Sequence, residues 1–151
     1  MKSHLPHIDI KKFLPHRDPM LFVHHLMDIS EEKAMTSFTI SEDTLFVEKG
    51  SFSEVGLIEN AAQSCSAIIG QDFFDDDDYQ GERNKVIGYI SAIKKIEIHA
   101  LPKVGQEITT RAQLVNRMQT EAFAVSTVNC TVHHRETLLL EGTLNFIIHE
   151  V

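Results

Sequence analysis

The sequence is poor in cysteine and contains no long apolar run. Its two cysteines, Cys65 and Cys130, are too few for a disulfide framework in 151 residues, and neither belongs to a Cys-x-x-Cys unit. No stretch approaches the roughly 18 apolar residues of a membrane-spanning helix, and the first residues lack the apolar segment of a signal peptide. These absences predict a cytoplasmic protein with reduced thiols and no membrane-embedded part.

Basic residues are also too few for non-specific binding of nucleic acid, which depends on many contacts between cations and phosphates. The chain has 14 Lys and Arg against 22 Asp and Glu, a net charge of -8. The charge is unevenly distributed, because four anions form the run Asp75–Asp78, whereas residues 84–118 hold six cations and two anions. The acidic run predicts a solvated loop.

No internal repeat, low-complexity tract or linker rich in proline and glycine divides the chain. Hydrophobic residues make up 42% and charged residues 24%, which excludes global disorder. The length is that of one domain. The sequence therefore predicts a single domain over residues 1–151.

Residues 52–69 predict a long helix that is buried on nearly all sides. Ser51 and Glu54 match the Ser-x-x-Glu capping box, and Gly70 suits the end of a helix. Most of the residues between these ends are apolar, and Glu59 is the one charged residue after the first turn. A helix that is apolar on nearly all sides needs cover on nearly all sides.

The other segments alternate between apolar and polar residues and are rich in Val, Ile, Thr and Phe, as strands are. The predicted strands lie near residues 20–29, 33–40, 86–90, 94–99, 107–116, 122–132 and 138–148, after a short helix near 8–14. This pattern predicts an α+β fold, in which an antiparallel sheet of about five or six strands wraps a long central helix. A second subunit would cover the rest of the helix.

Glu59 is the first candidate for a functional residue. A buried carboxylate costs several kcal/mol unless it is hydrogen-bonded or protonated, and such a group is a candidate general acid. Gln63 lies four residues later on the same helix face, where its amide can orient the carboxylate. The alternative interpretation is that Glu59 reaches solvent or pairs with a nearby cation.

Four short motifs follow one another along the chain. They are Pro15-His16-Arg17-Asp18-Pro19, Glu59-Asn60-Ala61-Ala62-Gln63, Gly88-Tyr89-Ile90 with Lys94, and Pro102-Lys103-Val104-Gly105. In this order they resemble motifs of the hotdog-fold 3-hydroxyacyl dehydratases that act on acyl carrier protein. The corresponding motifs are Pro-His-Arg-x-Pro, the helix signature Glu-Ala-x-Ala-Gln, the resumption of the sheet, and Pro-x-x-Gly-Asp. The resemblance covers roughly residues 8–148 and is closest to the branch found in aryl-polyene and related pigment clusters.

This resemblance implies a hotdog fold and a dimer with active sites at the subunit interface, beside the central helix. In the family, a His removes the α-proton of a 3-hydroxyacyl thioester, and a helix carboxylate helps the β-hydroxyl to leave as water. A backbone N–H near the helix start polarises the thioester carbonyl. Carried over to this sequence, the resemblance makes Glu59 the acid and implies substrate contacts at Gln63, Gly56, Ser51 and Gly88. It implies neither a cofactor nor a metal.

The family's catalytic His has no counterpart at the expected place. The family has Gly-His-Phe-Pro before the helix, whereas this chain has Gly50-Ser51-Phe52-Ser53 there and no His between His25 and His99. His16, a neighbour of the site in the family, is the best substitute as the base. The alternative interpretation is that His16 is a packing residue that holds the first helix to the sheet.

The basic second half of the chain gains a possible role, because acyl carrier proteins are acidic. Arg83, Lys94 and Lys95 are predicted to steer a carrier toward the site. The alternative is an ordinary solvated strand face.

Three functions remain open on the sequence. The first is dehydration of chains bound to acyl carrier protein, in fatty acid or polyene-type synthesis. The second is a non-catalytic acyl-binding subunit that pairs with an active dehydratase, and the third is a hotdog thioesterase. The expected assembly is a homodimer or higher even oligomer, or a hetero-oligomer with a paralogue.

Overall fold

The computed structural model of the chain describes residues 8–70 and 86–150. The Asp75–Asp78 run, for which a loop is predicted, and Arg83 lie outside these residues. The helical elements are a 3₁₀ turn (Ile10–Lys12) and the helix α1 (Glu54–Gly70). The strands are β1 (His25–Ile29), β2 (Lys33–Thr39), β3 (Val47–Glu48), β4 (Ser51–Phe52), β5 (Val86–Ile98), β6 (Glu107–Gln119), β7 (Ala124–His134) and β8 (Thr137–Glu150).

Six strands form one antiparallel sheet in the order β1-β2-β6-β7-β8-β5. Strands β3 and β4 form a separate small hairpin. The helix α1 packs against the face of the large sheet, mainly on β6, β2 and β7. This arrangement confirms the predicted α+β fold with one long helix on an antiparallel sheet of six strands.

The core follows from the alternation of residues along the strands. In β7, every second residue is buried and the residues between them are more exposed. The buried set faces α1, whose own buried residues include Leu57, Ala61 and Ile68. The buried faces of the strands and the apolar side chains of α1 therefore pack together in one hydrophobic layer.

The predicted capping box is wrong, because Ser51 belongs to a strand rather than to the start of the helix. Ser51 pairs with Glu48 in the β3–β4 hairpin and forms an isolated bridge with Lys103. The turn of this hairpin uses positive φ angles at Lys49 (51°) and Gly50 (79°). This hairpin pairing holds Ser51 in an extended conformation.

The helix instead begins at Glu54, two residues later than predicted, and Ser53 caps it. The Ser53 hydroxyl accepts from the backbone N–H of Gly56 at 3.5 Å, and the Ser53 carbonyl accepts from the N–H of Leu57 at 3.0 Å. At its other end the helix is described as far as Gly70, and the residues that follow lie outside the described part of the chain.

The predicted strand over residues 20–29 is only partly correct, because β1 begins at His25. The preceding residues are held by side chains of α1, as described below. Within the described ranges, no helix is both long and apolar enough to span a membrane.

Candidate active site

Glu59 lies on α1 and is half-buried, so its carboxylate is more accessible than the apolar helix suggested. Its Oε1 accepts a hydrogen bond from Nε2 of Gln63 at 3.1 Å. The i, i+4 spacing places the two side chains on one helix face, as the sequence predicts. Among the described residues, no cation lies within ion-pairing distance of Glu59.

Gln63 is 1% exposed, and its amide is engaged on both sides. Its Oε1 accepts from the backbone N–H of Phe22 at 2.8 Å, and its Nε2 donates to the carbonyl of Met20 at 2.8 Å. A backbone N–H can only donate, which identifies the amide oxygen and turns Nε2 toward Glu59. Both amide hydrogens are thus used within the protein, one of them on the Glu59 carboxylate.

His16 follows the 3₁₀ turn and is half-buried beside the same site. Burial lowers the pKa of His16, the nearby Glu59 carboxylate partly opposes this shift, and Arg17 adds to it. The His16 Nδ1 atom is buried and has no hydrogen-bond partner among the described residues. The structure therefore places a carboxyl group near an imidazole whose burial favours the neutral form.

The backbone that carries His16 is braced by Arg17. The Nη1 atom of Arg17 donates to the carbonyls of Leu14 at 2.9 Å and His16 at 2.8 Å. The chain then turns, and the N–H of Met20 donates to the carbonyl of Arg17 at 2.9 Å. The peptide bond between Asp18 and Pro19 in this turn is cis.

A cavity of about 40 Å³ lies between this segment, the second half of α1 and the end of the sheet. His16, Ser66, Gly70, Gly88 and Phe146 are among the residues that line it. The cavity places Gly88 near His16. Its volume is well below the roughly 300–1,000 Å³ of ligand pockets, so the cavity does not enclose an acyl chain by itself.

Gly56 and Ser51 lie near the start of α1. Gly56 is buried in the first helical turn, where a Cβ atom would overlap the ring of Phe52. This close approach explains why the position needs glycine. Ser51 is half-buried in β4, and no contact recorded for either residue reaches Glu59.

Lys94 and Lys95 are exposed on β5, at the edge of the sheet opposite β1. The Nζ atom of Lys95 lies 3.3 Å from Oε1 of Glu97. The third residue predicted to contact a carrier, Arg83, lies outside the described residues.

Sequence reasoning assigned no role to Asn60, although this residue is fully buried at the site. Its Nδ2 donates to the carbonyl of Phe22 at 2.7 Å, and its Oδ1 accepts from the hydroxyl of Thr110 at 2.6 Å. The available signal was the helix signature itself, which has Ala where this chain has Asn60.

One group of side chains in the described ranges has the spacing of metal ligands. Ligand atoms of Glu97, His99 and Glu141 lie within 4.8 Å of one another on β5 and β8. His99 Nε2 is 3.5 Å from Glu141 Oε1 and 4.0 Å from Glu97 Oε2. These groups are largely exposed and already pair with one another and with Lys95, so ion pairing accounts for the cluster.

Comparisons with known proteins identify the family and the fold of the chain. The family profile described as ApeP dehydratase (ApeP-like) matches residues 8–150. None of the curated proteins compared with the chain matches it. Among solved structures, the dehydratase heterocomplex ApeI:P from Xenorhabdus doucetiae superposes with a TM-score of 0.75 at 18% identity, covering 95% of this chain and 91% of that one.

Two other solved structures share the architecture. An HP0420 homologue from Helicobacter felis has a TM-score of 0.67 at 17% identity, covering 97% of this chain and 91% of that one. A hypothetical thioesterase with coenzyme A from Streptococcus pneumoniae has a TM-score of 0.56 at 13% identity, covering 83% and 84%. At these identities the similarity establishes the hotdog fold alone. The family profile spans almost the whole chain, and the chain therefore belongs to the ApeP-like dehydratase family.

Proposed function

We propose that the chain acts in the dehydration of 3-hydroxyacyl thioesters carried on acyl carrier protein, giving trans-2-enoyl thioesters. One observation carries this proposal: the Glu59 carboxyl group, oriented by Gln63, shares a half-buried site with His16, whose pKa is lowered by burial. A base and an acid in one site are what removal of water across a carbon–carbon bond requires.

In the proposed reaction, neutral His16 takes the proton from the α-carbon of the substrate. The Glu59 carboxyl group gives a proton to the β-hydroxyl, and the C–O bond breaks as water leaves and the double bond forms. Backbone N–H groups in the first turn of α1, where Gly56 lies, supply positive electrostatic potential for the thioester oxygen. A proton then returns from His16 to Glu59, which restores the starting state.

Several features support a site completed by a second subunit. Val55 on α1 is 60% exposed, and Tyr89 and Ile93 on the edge strand β5 are each 49% exposed. Exposed apolar side chains along a helix and a free strand edge favour association with another chain. The partner is a second copy or a related hotdog subunit, and the ApeI:P heterocomplex gives a precedent for the latter.

The second candidate is a non-catalytic acyl-binding subunit within such a complex. The observation that favours it is the absence of His from the sequence between His25 and His99, where the resembled dehydratases carry their base. In that case the partner supplies the base, and this chain contributes the helix and part of the binding surface.

The test is mass spectrometry of a 3-hydroxyacyl acyl carrier protein after incubation with the purified chain, alone and with a candidate hotdog dehydratase subunit as its partner. We expect the chain alone to remove one water from the acyl group. Loss of water only in the presence of the partner would identify the non-catalytic subunit instead. Release of free acid would identify a thioesterase, and an unchanged substrate in both mixtures would refute all three functions.

The carrier surface is tested by charge reversal on β5. The double substitution Lys94→Glu and Lys95→Glu should weaken binding of acyl carrier protein by about tenfold at low salt, because complementary charge mainly guides the encounter. The difference should shrink as salt screens the charges. Isothermal titration calorimetry at two salt concentrations measures both effects.

The matched control is Lys33→Glu, an exposed lysine on β2 that lies four strands away from β5. It changes the net charge in the same direction and should leave the affinity nearly unchanged. The control changes the net charge by half as much as the double variant, so a loss of affinity half as large on a logarithmic scale in the control would show that only net charge matters. Unchanged affinity in the double variant would exclude this face as the carrier surface.

A further inference from the structure

The most densely hydrogen-bonded part of the site surrounds one backbone residue, Phe22. Its N–H donates to Oε1 of Gln63 at 2.8 Å, and its carbonyl accepts from Nδ2 of Asn60 at 2.7 Å. In extended backbone the N–H and carbonyl of one residue point the same way, and a neighbouring antiparallel strand normally satisfies both. Here two helix side chains, spaced i and i+3, take the place of that strand.

The side chain of Phe22 is held as firmly as its backbone. It is 1% exposed and contacts the rings of Phe38, Phe46 and Phe52, with centroid distances of 6.1, 5.6 and 5.7 Å. Asn60 in turn is fixed to the sheet, because Thr110 on β6 donates to its Oδ1 at 2.6 Å. A backbone carbonyl can only accept, so the bond to Phe22 identifies Nδ2 of Asn60 and leaves its Oδ1 to accept from Thr110.

We call the two side chains that bind the backbone of Phe22, those of Asn60 and Gln63, the clamp. Both Glu59 and His16, the proposed catalytic pair, depend on this clamp. Gln63 binds Phe22 and Met20 while donating to Glu59, so the clamp positions the carboxylate. His16 lies on the same continuous segment, six residues before Phe22. The turn from Arg17 to Met20 and the bonds from the Arg17 side chain make that segment stiff, so a shift of Phe22 would be passed on to His16.

We infer that Asn60, acting through Phe22, is a positioning residue that sets the separation between Glu59 and His16. This inference rests on the proposed function, in which that pair removes water. The side chain of Asn60 binds Phe22 and Thr110 rather than Glu59 or His16, and its effect is geometric. A displacement of catalytic groups by about 1 Å can cost roughly 100-fold in rate, so the clamp matters even though it takes no part in proton transfer.

The test compares Asn60→Ala with Thr36→Val. Asn60→Ala removes the bonds to Phe22 and Thr110, whereas Thr36→Val removes a bond of 2.7 Å between the hydroxyls of Thr36 and Ser64. Both bonds are fully buried and join α1 to the rest of the fold, but the second does not involve Phe22. We expect Asn60→Ala to lower kcat by roughly 10- to 100-fold with little change in KM, and Thr36→Val to leave both within about twofold.

A second readout does not depend on turnover. Glu59 and Arg17 are the charged groups that act on His16, and burial is the main cause of its low pKa. A loosened clamp admits water, so NMR titration should show the pKa of His16 moving up toward its ordinary value in Asn60→Ala and staying in place in Thr36→Val. If Asn60→Ala does not fold, the double variant Asn60→Ala with Thr110→Val replaces it, because it leaves no unpaired Thr110 hydroxyl.

The outcomes separate this inference from the proposed function. A wild-type chain that never dehydrates a thioester refutes the proposed function. The titration of His16 in the Asn60 variant still tests whether the clamp positions His16. A folded Asn60 variant with unchanged kcat and an unmoved His16 titration would overturn the inference. Equal losses in Asn60→Ala and Thr36→Val would also overturn it, because they would show a purely structural role.

Discussion

Replacing Glu59 with glutamine should abolish dehydration, with kcat lower by roughly 100- to 10,000-fold, the usual contribution of a general acid. An amide of the same shape cannot protonate the departing hydroxyl. The fold should persist, because Glu59 is half-buried and the new amide oxygen can still accept from Gln63 Nε2. Turnover of a carrier-bound 3-hydroxyacyl thioester and circular dichroism measure the two quantities.

Glu54→Gln is the matched control, since it removes a carboxylate from the same helix. Glu54 is exposed in the first turn of α1, five residues before Glu59. Its loss should cost about 0.3–1 kcal/mol of stability, because an acidic group near a helix start is favourable, and should leave kcat within about twofold. A folded Glu59→Gln protein with full activity would remove Glu59 from the mechanism.

The sequence predicted the helix and most of the sheet because both signals are local. An apolar run with a single carboxylate marks a buried helix, and alternation marks strands, so both can be recognised without knowing their partners. The wrong prediction of a helix cap at Ser51 also has a local cause. Ser51 and Ser53 both suit a helix cap, and the choice between them depends on a hairpin whose turn has positive φ at Lys49 and Gly50.

The segment before β1 shows the limit of such reasoning. The apolar residues near Phe22 look like a strand, and the backbone there is indeed satisfied as a strand would be. Its partners, however, are the side chains of Asn60 and Gln63, 38 and 41 residues away. No propensity or alternation pattern reports a contact between backbone and a distant side chain.

The candidate site likewise has one part that could be predicted from the sequence and another part that could not. Glu59 and Gln63 are linked by helical spacing, so their pairing could be predicted from the sequence. The approach of His16 to Glu59, seen in its effect on the pKa of His16, depends on tertiary packing. The role of Asn60 depends in addition on Thr110, fifty residues away in the chain.

His16→Asn tests the other half of the proposed pair. If neutral His16 is the base, its loss should lower kcat/KM by roughly 100- to 10,000-fold. In the wild type, kcat/KM should fall as pH decreases, because protonation of His16 removes the base. Burial lowers the pKa of His16, so this fall should begin on the acid side of the ordinary value of 6.5.

The same shift has a consequence for stability, and its sign follows from linkage. The unfolded chain, in which His16 has its ordinary pKa, binds a proton more readily than the folded chain. The folded state therefore loses stability as pH falls through 6.5 toward the lower pKa of the folded state. Thermal unfolding at each pH separates this loss of stability from the loss of the catalytic base. His16→Asn should reduce the pH dependence of the stability.

His24→Asn is the control that makes the assignment of the base specific. Burial also lowers the pKa of His24, so this side chain titrates on the same side of 6.5. However, it packs on Phe38 and its Nδ1 accepts from the N–H of Thr39 at 3.0 Å. The acid limb of the pH profile should survive in His24→Asn and disappear in His16→Asn. Full activity with an intact acid limb in His16→Asn would place the base elsewhere and, with no His in the sequence between His25 and His99, would favour a base supplied by a partner subunit.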